Sequence, residues 1–591
     1  MHSPKKRTAS SIAIAIAFIL ALSVIMGGCF AAAPTEPPTE APTAPPTVPP
    51  TDPPTEPPTE PPTEPPTEAP TEPPRVWISG FLATVDAEAS YYDAEGTLLG
   101  TLPRGAEIQY EVLADGRVEI LVNEVTGFLQ DGASVVADYA DIIPAHTLYV
   151  RSAVNLRDIN GKLLAPLADK GDAVDVIGFD YMTDDNTVHM YHVILDGQEG
   201  YMMPWYLVDS ETEALANYDN GSYEIHASRY DEYGGGDAGS LDYYPREKGP
   251  IEGNEMPEEC RTLYVVEWRL DEVDIYLDIA EGSGINAFVV DIMDGTAIGY
   301  PSEVMAQYSP TAYEYAYNTL EEYQQAIQKI KDAGYYVIGR ITTFNDSYFV
   351  DDHPEHSITD HWGDPLRLSG EYWPSPYSRY AWQYKVDLAV EAVELMGFNE
   401  IQFDYVRFPD RAWSYENEGI IDYHDVYGET KVQAIQRFLM YATDIIHEHG
   451  AYVSADVFGE SAYSYVTGYG QYWPAISNVV DVISGMPYPD HFGAYGDWLP
   501  WEHPYSTLYD WGCCVMNRQA ETATPAAVRT WIQAYNAIRE PYTTYGPEEV
   551  YAQISALRDA GCTGGFMTWN AMSSQDKYTW LLPAFAPADE S

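Results

Sequence analysis

From about residue 259 onward, short apolar runs alternate with longer stretches of helical period. Eight runs read as strands: 262–268, 286–293, 335–342, 400–406, 451–458, 480–487, 529–535 and 564–570. Between them, 319–333 places Leu320, Tyr323, Ala326, Ile327 and Ile330 on one helical face and stops at Gly334. The stretches 380–396 and 430–449 behave likewise and stop at Gly397 and Gly450, since glycine readily takes the left-handed conformation that ends a helix. Eight strand–helix repeats predict a (β/α)8 TIM barrel over 259–591, with long loops.

Upstream the period changes. Residues 76–140 and 146–210 are strand-rich and punctuated by glycine, with period-two alternation in Asp172–Gly178 and His192–Leu195. They predict two small all-β modules. The second carries Val154-Asn155-Leu156-Arg157, a Lys170-Gly171 turn and Glu199-Gly200-Tyr201; the first has Arg104-Gly105 and Thr126-Gly127-Phe128 at the matching places. These residues resemble the bacterial SH3-like domain family, which implies small barrels that either bind cell-wall peptide or polysaccharide or serve as spacers. Residues 211–258 are polar, acidic and rich in Gly and Tyr, and read as a connector.

The first 75 residues have no period of either kind that would build a core. Lys5, Lys6 and Arg7 precede an apolar run from Ile12 to Met26, and Gly27-Gly28-Cys29 follows. This layout over 1–29 resembles a lipoprotein signal peptide, with Cys29 as the lipidated residue. Residues 30–75 form a Pro/Thr/Glu-rich linker, with 19 Pro among the 41 residues 34–74. Such a chain favours extended polyproline II and at ~3.1 Å per residue spans about 130 Å. The whole predicts a multidomain protein outside the cytoplasm: a membrane lipid anchor, a stalk, two β modules, and a barrel at the cell surface.

Charge narrows the partners. With 30 Lys and Arg against 91 Asp and Glu, the net charge is −61, which argues against nucleic acid and against electrostatic binding to anionic headgroups. There are 49 Tyr and 14 Trp against 16 Phe. Rings of this kind pack on the apolar faces of sugars and still hydrogen-bond, though a Tyr-rich core gives the same composition. The five cysteines show no zinc spacing, and an isolated disulfide from Cys260 stays open. No spacing implies a metal or another cofactor.

In a TIM barrel the chemistry sits at the C-terminal ends of the strands. The polar residues there are Glu267, then Asp291 and Asp294, Arg340, Asp404 and Arg407, Asp456 with Glu460 beyond it, Tyr488 with Asp490 and His491, Gln533 and Tyr535, and Trp569 with Asn570. Acids are costly at the ends of apolar strands unless paired or functional. Several acids around one mouth suit glycoside hydrolysis, in which one carboxylate attacks or activates water and another, kept protonated, donates to the leaving oxygen. Asp404 is alternatively a structural ion-pair partner of Arg340 or Arg407. The loop tryptophans Trp362, Trp373, Trp498 and Trp501 suit sugar stacking.

The segments GFNEIQFDYVRFP, VSADVFG, MPYPDHFG, RTWIQAYN and YAQISALRDAGCTGGFMTWNA resemble the putative glycosyl hydrolase domain family, a group of barrels similar in plan to α-amylase-type enzymes. The resemblance spans about 259–585. It implies a glycoside hydrolase with Asp404 as nucleophile and Asp456 or Glu460 as proton donor. The family plan has Glu as donor, and this chain has Asp456 at the strand end. Glu267, Asp291, Arg340, Arg407, Tyr488, His491, Gln533, Trp569 and Asn570 would line the sugar site. The expected partner is a polysaccharide or peptidoglycan glycan. The other reading is a non-catalytic polysaccharide or cell-wall binding protein on a barrel scaffold.

Overall fold

The computed structural model describes residues 75–218, 221–224 and 235–586. The leader, Cys29 and the Pro-rich linker therefore lie outside the described residues. Among the described residues the chain divides into two compact units, 75–146 with 177–189, and 147–176 with 190 onward.

The N-terminal region is all β. Seven strands between Ile78 and Val136 form one sheet, and seven between His146 and Val208 form another. Both sheets have the same strand order: third, second, sixth, fifth, fourth, first, seventh. The first buries Leu82, Ala89, Ile108 and Ile120. In the second, the strand Ala173–Phe179 buries Val174 and Val176 and exposes Ala173 and Asp175, the alternation expected of a half-buried strand. Gly105 and Gly171 open the turns after the third strands at φ +76° and +95°. Their amides donate to Leu82 and Val150 at 2.9 and 2.7 Å, which ties each turn to its first strand.

From Cys260 onward the strands run parallel. They are β1 (Cys260–Val265), β2 (Ala287–Asp294), β3 (Tyr336–Thr342), β4 (Glu400–Asp404), β5 (Tyr452–Phe458), β6 (Val482–Met486), β7 (Thr530–Gln533) and β8 (Gly565–Trp569). Strands β1 to β6 pair in sequence, and β1 also pairs with β8. The sheet path ends at β7 on one side and at the two-residue strand Ala527–Val528 beside β6 on the other. Only Arg529 separates those ends in sequence, so the sheet is a near-closed barrel.

Three helices show why the sequence folds this way. Helix α1 (Leu320–Asp332) starts at a capping box of Thr319 and Glu322 and buries Tyr323, Ala326, Ile327 and Ile330. Helix α2 (Arg379–Met396) is capped by Ser378 and ends at Gly397, φ +66°. Helix α3 (Lys431–Glu448) starts at a second capping box, Thr430 with Gln433.

The second β-sheet packs with the barrel through polar contacts. Tyr441 of α3 donates to Asn155 at 2.7 Å, Arg157 pairs with Glu448 at 2.6 Å, and Arg379 of α2 pairs with Asp169 at 2.7 Å. Lys170 pairs with Asp242 of the connector, which also takes Arg437 at 3.1 Å. The described residues 251–256 of the connector pack at the N-terminal end of the barrel too. Asn254 donates to the carbonyls of Asn399 and Gly450 at 2.8 and 2.9 Å, and Ile251 and Met256 pack against the inner cluster that contains Tyr336 and Tyr452. Among the described residues, Cys260 forms no disulfide with Cys513, Cys514 or Cys562.

Candidate active site

The mouth is organised around Arg340, near the end of β3. Its side chain is 1% exposed and faces three carboxylates. It donates to Asp291 at 2.7 Å, to Asp404 at 2.5 and 3.2 Å, and lies 3.3 Å from Asp294. Asp291 also accepts from the Tyr264 hydroxyl of β1. Burial raises the Asp291 carboxyl to about 6, with Arg340 opposing and Asp294 adding to the shift.

Asp404 ends β4, and both of its oxygens are engaged. One takes Arg340; the other accepts the backbone amide of Tyr405 at 2.6 Å. Tyr405 has φ +51°, an unfavourable left-handed conformation for a bulky residue. The strand therefore ends in a tight turn that brings its own amide back onto the carboxylate.

Asp456 lies on β5 beside Asp404, with Phe403 and Ala455 paired one residue before them. It is 1% exposed. One oxygen accepts from the Trp531 indole of β7 at 2.9 Å, and the other has no hydrogen-bond partner. Burial first, then the Asp404 charge, pushes its carboxyl well above the usual range. The two acids thus differ sharply: Asp404 sits in an ion pair, and Asp456 is pushed toward its protonated form. The buried Tyr488, after β6, has its phenol raised by burial and by both of these acids.

Glu267 follows β1 and is fully buried, with neither carboxyl oxygen bonded to another residue. Burial and the charges of Asp291 and Asp294 push it well above the carboxylate range. Trp569, at the end of β8, packs 5.0 Å from Tyr264 and 5.6 Å from Trp531, with the Arg340 guanidinium 5.4 Å from its ring. Among the described residues no group of three or more His, Cys, Asp or Glu is arranged to hold a metal ion.

Residues 262–575 match the family described as "Putative glycosyl hydrolase domain". The chain belongs to this family. Among solved structures it is similar to a hypothetical protein from Ruminiclostridium thermocellum, 34% identical over 33% of this chain and 97% of the other, TM-score 0.29. It is also similar to the PgaB (BpsB) glycoside hydrolase domain from Bordetella bronchiseptica, 13% identical over 53% of this chain and 95% of the other, TM-score 0.39. A GH18 chitinase from Pseudoalteromonas aurantia is 10% identical over 54% of this chain and 97% of its own, TM-score 0.33. No curated protein matches the sequence.

Within this family domain, the structure brings Glu267, Asp291, Arg340, Asp404, Asp456, Tyr488 and Trp569 to one mouth. Other residues named from sequence serve the loops around it. Arg407 donates to the Phe408 carbonyl at 3.1 Å and to Asp410 at 3.3 Å, and packs between the rings of Phe458, Tyr405 and Trp373; it is not hydrogen-bonded to Asp404. Glu460 accepts from Tyr465 and Tyr469, each at 2.9 Å. Gln533 bridges the Asp490 amide and the Tyr535 carbonyl at 3.2 and 3.3 Å. Asn570 ties Ala534 to Ser574 at 3.0 and 3.3 Å. The His491 ring stands edge-on to Tyr488, and burial and Arg539 lower its pKa to about 4, so it is neutral.

The loop tryptophans divide. Trp373 and Trp501 are 1% and 3% exposed and belong to the core, which corrects the expectation that they face sugar. A long loop must bury side chains of its own to hold its shape, and Trp373 does so while donating to the Leu368 carbonyl at 3.2 Å. Trp362 is 77% exposed. Sequence reasoning passed over Tyr264 and Trp531, which hold Asp291 and Asp456. The available signal was their strand alternation, because Trp531 stands two residues before Gln533 and shares its face.

Proposed function

We propose that the chain is an envelope-anchored glycoside hydrolase. Its (β/α)8 barrel acts on a polysaccharide or cell-wall glycan, with Asp404 as the nucleophile and Asp456 as the proton donor. The observation that carries this reading is the setting of Asp456: buried, held by one oxygen, with the other free and the carboxyl shifted by burial toward its protonated form. A general acid needs those three properties, and a neighbouring carboxylate in an ion pair supplies the complementary base or nucleophile. Arg340 and the Tyr405 amide hold Asp404 in one orientation. Cys29 would anchor the chain outside the cytoplasm and the Pro-rich segment would act as a stalk. The shared strand order of the two N-terminal sheets supports reading them as a repeated SH3-like module. No cofactor enters this chemistry.

A second reading keeps its own observation. Both Asp404 oxygens are already bonded, as in a structural ion pair, which suits a barrel that binds glycan without cleaving it. Reducing-end release by the whole chain across a glycan panel separates the two. Release that disappears in Asp404→Asn supports the hydrolase. Binding without release, unchanged in Asp404→Asn, supports the binding protein.

A further inference from the structure

The Arg340 network accounts for Asp291, Asp294 and Asp404 but leaves Glu267 unexplained. A buried polar group without a partner is costly and needs a reason. The chain just above it is pinned in place. Asn318 donates to the Glu267 and Gly299 carbonyls, both at 2.9 Å, and the Tyr317 amide donates to Ile298 at 2.8 Å. This puts Tyr317 beside Glu267, whose charge adds to burial in raising the Tyr317 phenol. Tyr317 is 59% exposed and Tyr315 57%. Tyr315 stacks on Tyr348, ring centroids 5.2 Å apart and planes 16° apart. Tyr348 comes from Ser347–Asp352, the short helix that follows β3. The three tyrosines thus form a ledge on the β1–β3 side of the mouth, in which Tyr348 is partly buried against the core and the exposed rings of Tyr315 and Tyr317 gain little from core packing.

We propose that Glu267 with Tyr315, Tyr317 and Tyr348 forms a sugar subsite, separate from the Asp404–Asp456 pair, that takes an uncharged pyranose. The proposal rests on the glycan-acting reading above. A pyranose offers its C–H face to an aromatic ring and its hydroxyls to a polar group at the ring's edge. Glu267, whose two carboxyl oxygens have no protein partner and which burial shifts toward its protonated form, can donate one hydrogen bond and accept another. The carboxylates of Asp291 and Asp294 beside it repel a uronate. An amino sugar would instead require Glu267 to ionise.

The test is a glycan array of neutral, uronate-bearing and amino-sugar oligosaccharides probed with the whole chain, followed by calorimetry on the tightest neutral ligand. Tyr317→Ala and Glu267→Ala should each weaken binding about tenfold, while Glu267→Gln, which can still donate, should stay close to wild type. Wild-type affinity in folded Tyr317→Ala and Glu267→Ala overturns the proposal. So does a preference for uronate or amino-sugar ligands, or no binding anywhere on the array. Turnover is followed in parallel. Turnover indifferent to Glu267 and Tyr317 at low glycan removes the subsite and leaves the hydrolase. Binding that depends on them without turnover leaves the subsite and removes the hydrolase.

Discussion

The two ends of the barrel bury the same kind of side chain and treat it oppositely. At the N-terminal end, Glu400 is fully buried and fully partnered: Arg529 donates to its two oxygens at 2.8 and 2.9 Å, and Tyr336 donates at 3.1 Å. At the mouth, Glu267 and Asp456 are buried as deeply, yet between them three carboxyl oxygens have no partner. Removing a carboxylate from water is tolerable when a cation and hydrogen bonds replace the solvent; otherwise the group keeps its proton. The paired acid is satisfied within the barrel, and the unpaired acids keep carboxyl oxygens without a protein partner at the mouth.

The largest effect should come from Asp404→Asn. Turnover should fall on the order of 10⁴-fold or more. Melting should stay near the wild-type temperature, because Arg340 keeps Asp291 and Asp294. A variant as active as wild type would place Asp404 with the structural acids. Glu400→Gln should do the reverse. It should lose about 3–5 kcal/mol of unfolding free energy in denaturant titrations, since Arg529 is left without its counter-charge in the interior. Its residual activity should scale with the folded fraction.

Asp456→Asn sharpens the comparison on the mouth side. Loss of a general acid should slow cleavage of a natural glycan by about 10²–10⁴-fold. Aryl glycosides with acidic leaving groups should lose far less, because they depart without a proton. Equal loss on both would assign Asp456 a packing role. In the wild type, deprotonation of Asp456 above its raised pKa should produce an alkaline limb in kcat/KM, and that limb should be absent from the residual activity of Asp456→Asn.

The smallest effect is on pH-dependent stability. Asp291 titrates at about 6 when folded and about 3.9 when unfolded. The folded state therefore binds more protons across that window, and stability falls as pH rises through it. The contribution is present below about pH 4 and is lost above about pH 6, on the order of 3 kcal/mol. Glu267 and Asp456, also raised, carry the decline to higher pH. Denaturant titrations from pH 4 to 7 should show the slope, and Asp291→Asn should reduce it. A flat profile would mean that the mouth acids are paired as well as Glu400 is.

Much of the barrel was legible as pattern. Each of the eight strands lies within or one to two residues beyond its apolar run, and Thr319, Gly397 and Gly450 mark helix ends as read. The seventh strand was harder. Arg529 stands between the two short strands Ala527–Val528 and Thr530–Gln533, its amide donating to Ile483 of β6 at 3.2 Å and its side chain bonded to Glu400, 129 positions away in sequence. The β modules show the same limit. Arg104 and Lys170 occupy matching turns, yet Arg104 bonds the Val85 carbonyl at 2.8 Å, within its own sheet, whereas Lys170 reaches Asp242 of the connector. Nothing local distinguishes them.

Sequence alone determined what depends on neighbours in the chain: helix and strand periods, capping residues, glycine turns, the acidic composition, and the placement of acids at strand ends. Tertiary structure decided which acids are satisfied. Glu400, Asp404, Asp456 and Glu267 look equivalent as text. Whether each meets a guanidinium, an indole, an amide or nothing depends on strands as far as 129 residues distant. For Asp456 and Glu267 those encounters raise the carboxyl above its usual range, because the charge on a buried carboxyl is set by the groups that replace water around it.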